Sequence, residues 1–168
     1  HILSNRSAHL LEDAMQEPIY HHLLLAVDFE PESEPVVARV KALRDLLGAR
    51  LSLLHVVEHV PPVVEYMPSE FSGEVPAPDD LSLEEELMAV ARRQLDAMGE
   101  RLAVPADDRL IRVGPTGHTI DEVAGEIGAD LILIGSRGRH GLLGLFGSTA
   151  KAVLRGLKCD VLCVLIGC

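Results

Sequence analysis

Between Leu131 and Thr149 the chain reads Leu-Ile-Leu-Ile-Gly-Ser-Arg-Gly-Arg-His-Gly-Leu-Leu-Gly-Leu-Phe-Gly-Ser-Thr, an apolar run, a loop with five glycines and a pair of hydroxyls. Residue types in this order suit phosphate binding. Glycines at 135, 138, 141, 144 and 147 let the backbone turn tightly and bring its N–H groups close to an anion. Ser148 and Thr149 follow where a helix is expected to begin, and a helix start offers unpaired N–H donors and the positive end of the helix dipole. Arg137, Arg139 and His140 sit on the same loop and could add positive charge, although exposed arginines are also what a solvated loop shows.

Two common phosphate fingerprints do not fit. A P-loop requires lysine immediately before its Ser or Thr, and none precedes Ser148; a dinucleotide fold requires a glycine motif after the first strand, which here ends in Asp28-Phe29. Asp28 is the second residue of interest. A carboxylate directly after an apolar run is costly to bury without a partner, so it serves a ligand hydroxyl, a metal ion or the cap of the following helix. His55 reads as a strand histidine packed against a neighbour, and His21 and His22 as exposed residues at a strand entrance. No His-x-x-His, Cys-x-x-Cys, paired carboxylates or Gly-x-Ser-x-Gly elbow is present, so no catalytic residue and no metal ligand is assigned.

These residues need a scaffold, and short apolar runs alternating with helical patterns supply one: five strands and four helices in βαβ units around a parallel sheet. The first helix is expected over about 33–47, with Val36, Val37, Val40, Leu43, Leu46 and Leu47 on one face and Gly48 as its stop. A capping box, Ser82-Leu-Glu-Glu, opens the second, which is expected to run to Gly99. Thr119-Ile-Asp-Glu repeats the device for the third, and the fourth covers about 148–157. Residues 58–81, rich in Pro, Glu, Ser and Gly, are expected to form a flexible loop.

Composition narrows the classes. A chain of 168 residues with 48% apolar side chains suits one domain with a packed α/β interior. A formal charge of −11 disfavours nucleic acid and anionic membranes as partners, since both would repel it. Three cysteines without an even framework point to reduced thiols, and no run approaches a membrane span or a signal core, which together give a cytoplasmic expectation. Residues 1–20 read as an N-terminal extension to a domain over 21–168.

The pattern Gly135-x2-Gly138, eight residues, then Gly147-Ser148 resembles the nucleotide loop of the universal stress protein family, one residue shorter than its usual spacing. Other landmarks fall in that family's order. His22-Leu-Leu-Leu-Ala-Val-Asp28 is similar to its opening strand, Leu51 to Val57 to its second, Val113 to Ile120 to the turn into its third helix and Lys158 to Val164 to its closing strand. The resemblance implies a doubly wound five-stranded parallel sheet of order 3-2-1-4-5, Rossmann-like and of the adenine nucleotide alpha hydrolase type. With that order the winding reverses between the strands ending at Asp28 and Gly135, so both signals would meet in one crevice.

The resemblance further implies a stress-response regulator that binds ATP, with or without magnesium, or a related adenine nucleotide. Ala26, Val27 and Asp28 would border base and ribose, Val56 would meet the adenine, and Gly135, Gly138, Gly147, Ser148 and Thr149 would hold the phosphates, with Ile134, Arg137, Arg139 and His140 in the same nucleotide-binding set. It also implies a homodimer through the closing strand, Val161 to Ile166, which would cover an apolar sheet edge, and a regulatory protein partner of unknown identity. Two other readings stay open: a protein-interaction module that binds no nucleotide, which the shortened loop favours, and a slow ATPase or autophosphorylating protein, for which no general base is apparent.

Overall fold

In the computed structural model, residues 18–58, 80–136, 156 and 158–166 are described. Five strands, β1 (His22–Ala26), β2 (Arg50–Val57), β3 (Arg109–Val113), β4 (Leu131–Gly135) and β5 (Asp160–Val164), pair in parallel in the order β3-β2-β1-β4-β5. Helices α1 (Glu34–Leu47), α2 (Asp80–Leu102) and α3 (Thr116–Ile127) connect them. The order is the one that the sequence resemblance implies.

A parallel sheet covered on both faces needs strands without polar alternation, and β1 supplies Leu23, Leu24 and Leu25, all buried. Their side chains divide by parity into two cores. Leu23 and Leu25 join Leu53, Leu133 and the inner faces of α1 and α2, while Leu24 joins Leu54, Ile132 and α3. Each buried leucine contributes about 1.5–3 kcal/mol of transfer free energy, so the central strands hold the molecule together. Gly48, at φ 63°, closes α1 in the left-handed conformation that favours glycine, as expected.

Three boundary expectations are corrected. Helix α2 does not stop at Gly99 but runs to Leu102, and Ala103 turns the chain at φ 53°. Gly99 is instead a packing slot: a Cβ there would lie 2.0–2.7 Å from the Arg109 side chain. Arg109 is pinned above that slot, with Nε donating to the Val104 carbonyl and Nη2 to Glu100. Nor does Ser82 cap α2, because the helix begins at Asp80. Likewise α3 starts at Thr116, and Thr119 lies inside it, its hydroxyl donating back to the Pro115 carbonyl at 2.8 Å. The expected fourth helix, except Gly156, and residues 59–79 of the expected loop lie outside the described residues.

His22 is a further correction: it is buried, not exposed. At the amino end of the sheet its Nε2 lies 2.8 Å from the Ser52 hydroxyl, which donates to Asp108 Oδ1 at 3.0 Å. Arg50 grips the same carboxylate through Nε and Nη2. Burial opposes ionisation of Asp108, but the bonds from Arg50 and Ser52 outweigh it and hold the pKa below the usual carboxylate range. Burial, helped by the Arg50 charge, pushes the His22 pKa below its ordinary 6.5. Beside them Asp130 accepts the N–H groups of His21 and His22, at 2.7 and 2.9 Å, and so ties the entry of β4 to the entry of β1.

Candidate functional site

With the observed strand order, the winding reverses between β1 and β4, and the crevice beyond their carboxyl ends is where ligands bind in open parallel sheets. A cleft of about 360 Å³ opens there. It brings together Ala26, Val27, Asp28 and Gly135 from the sequence expectation, with the start of α1 on one side and Gln94, Ala97, Met98 and Arg101 of α2 on the other. The α2 walls come from a helix some seventy residues downstream and carry no local signal in the sequence.

Asp28 has a structural role already. Its Oδ1 accepts the backbone N–H of Glu30 at 3.0 Å and the hydroxyl of Ser33 at 2.7 Å, which fixes the turn into α1. Both bonds use one carboxylate oxygen. Phe29, which sequence reasoning passed over, adopts φ 59°, a left-handed conformation costly for a bulky residue. Its ring packs on His55 with centroids 4.5 Å apart. His55 Nδ1 lies 2.7 Å from the Val27 carbonyl, and since a carbonyl only accepts, Nδ1 carries the proton. His55 is thus a packed strand histidine that clamps the end of β1 to β2, as expected from its position.

Val56 and Ile134 stand on the other face of the sheet, in the core covered by α3, and do not line the cleft. Arg137, Gly138, Arg139, His140, Gly147, Ser148 and Thr149 lie outside the described residues. The point from which their loop departs is described: Ser136 donates its N–H to the Val164 carbonyl, and its hydroxyl accepts the N–H of Ile166, both at 2.8 Å. Glu30, Glu34 and Asp28 give the cleft an acidic rim on the α1 side, where Arg101 is paired with Glu34 at 3.1 Å. Phosphates would be repelled there; among the described lining residues the Gly135 side carries no carboxylate. Among the described residues no three His, Cys, Asp or Glu side chains converge to hold a metal ion, and no helix is long and apolar enough to cross a membrane.

The sequence profile described as "Universal stress protein family" matches residues 19–164. The chain belongs to the universal stress protein family. Universal stress protein A homolog 2 of Coxiella burnetii is 36% identical over 148 residues, covering 88% of this chain and 96% of that protein. Among solved structures, universal stress protein UspA from Lactobacillus plantarum superposes with a TM-score of 0.62 at 26% identity, covering 86% of this chain and 97% of that one. A universal stress protein solved in complex with cAMP gives a TM-score of 0.52 at 23% identity over 86% of this chain and 96% of that one, which establishes a shared fold. The Rossmann-like, adenine nucleotide alpha hydrolase type of fold is therefore common to this chain and its relatives.

Proposed function

We propose that this universal stress protein binds an adenine nucleotide in the crevice between β1 and β4 and acts as a nucleotide-dependent regulator. The observation that carries the reading is the cleft itself, which lies at the reversal of winding and is walled by Ala26, Val27, Asp28 and Gly135. Its volume and its mix of apolar wall and few polar groups suit a base and ribose. In this reading Asp28 Oδ1 stays with the helix start and Oδ2 accepts a ribose hydroxyl. The phosphates point away from the acidic rim, past Gly135 toward the glycine loop, with the loop glycines and Ser148 and Thr149 as their donors. A related protein binds cAMP, which makes the ligand class reasonable. ATP, with magnesium as its counter-ion, is the ligand we assign. A dimer through β5 belongs to the same reading, supported by Leu162 and Leu165 exposed along that edge.

Calorimetric titration with ATP, AMP and cAMP, with and without magnesium, tests it. Saturable binding that Gly138→Val or Gly147→Val abolishes, with the fold retained by circular dichroism, is the expected result. Absence of binding at millimolar ATP would replace it with the interaction-module reading, which the prior engagement of Asp28 in the α1 turn favours.

A further inference from the structure

Helix α2 is two structures in one. From Ala91 onward it is part of the body, with Ala91, Leu95 and Leu102 buried in the core. Between Leu83 and Val90 no side chain is buried, although Met88 touches the core. That half carries an apolar stripe nonetheless. Leu83, Leu87 and Val90, at i, i+4 and i+7, fall on one helix face and are 47%, 37% and 43% exposed. Charges flank the stripe in two blocks: Glu84, Glu85 and Glu86 toward the amino end, Arg92 and Arg93 one to two turns later. Glu86 and Arg93 are exposed and make no ion pair among the described residues.

We infer that this stripe docks the same stripe of a second copy of the chain, the two α2 helices lying antiparallel about a two-fold axis that passes between Met88 and Ala89. The spacing is self-complementary about that point. Leu87 of one copy meets Val90 of the other, and Leu83 meets Gln94, so the seam has the four-three spacing of paired helices. Beside the seam Glu86 of each copy faces Arg93 of the other, and the two-fold makes the pair twice. A parallel arrangement would instead bring the acidic turns of both copies together and leave the arginines unopposed. Because Gln94 also lines the cleft, the second copy's Leu83 would stand at its rim. This contact is separate from pairing along β5 and does not rest on the nucleotide reading; where both form, the assembly is larger than a dimer.

Sedimentation velocity of the full chain over a range of concentrations tests it, on wild type, Glu86→Arg, Arg93→Glu, the double exchange and Leu87→Glu. Each altered group is exposed and without an ion-pair partner, so the fold should survive, and circular dichroism checks this. Expected is a concentration-dependent species in wild type that Leu87→Glu abolishes, that either single charge change weakens, and that the double exchange restores. Loss of that species in the double exchange as in the singles would overturn the antiparallel register. Identical sedimentation of all five proteins would overturn the contact altogether and leave the stripe to a different partner.

Discussion

The two ends of the sheet are built on opposite principles. At the amino end His22, Ser52, Asp108 and Arg50 form a closed chain of hydrogen bonds, and Asp130 bolts β4 to β1, so each polar group is spent on another part of the protein. At the carboxyl end Phe29 is held in an unfavourable backbone region, Asp28 shares its two bonds on one oxygen, and a cleft stays open. The contrast separates stability from the candidate site: the closed end fixes the register of four strands, and the open end keeps backbone strain beside a cleft.

Removing the closed end's central carboxylate is the strongest way to break the contrast. Asp108→Ala deprives Arg50 and Ser52 of their acceptor and should lower stability by about 2 kcal/mol, read as a fall in melting temperature of roughly 4–8 °C. Nucleotide affinity should be unchanged in the same variant; a parallel loss of affinity would show that the ends are not independent. A smaller effect separates strain from packing at the open end. Phe29→Ala and Phe29→Gly both lose the ring contact with His55, but only glycine accepts φ 59° without penalty. In urea titrations the glycine variant should be the more stable by about 1 kcal/mol, and equal midpoints would mean that the conformation carries no strain.

The smallest effect concerns pH. His22 in the folded protein has a pKa below that of the unfolded chain, so the unfolded chain takes up its proton first. Its contribution to stability is whole above pH 6.5 and shrinks as pH falls through the folded value. Asp108 and Asp130, both shifted downward, add a second decline at more acid pH, below the ordinary carboxylate range. His22→Gln should flatten the first decline in thermal scans and leave the second; an unchanged profile would assign the first decline to another group.

Much of this was legible in the chain, and most of the failures share a cause. The apolar runs of β1, β2 and β4 and the stop at Gly48 follow from local pattern, and the meeting of Asp28 with Gly135 from the strand order that the family resemblance implies. Most of what local pattern misjudged was settled by distant partners. Gly99 looks like a helix terminator, but it is there because Arg109 crosses the helix at that point. Thr119 looks like a cap, yet Pro115 and Thr116 start the helix a turn earlier and leave its hydroxyl to bond backward. His22 looks exposed at a strand entrance until Ser52, on the neighbouring strand, supplies the partner that makes burial tolerable. The walls contributed by α2 had no local signature, because only the packing of that helix over the sheet brings Met98 and Arg101 to the cleft.

Ser136 anchors the carboxyl end of β4 to the edge strand. Its N–H and its hydroxyl are both bonded to the far end of β5, so the chain leaves the sheet from a point that cannot translate without dragging that strand. A displacement of Ser136, whatever its source, is therefore delivered at Val164 and Ile166.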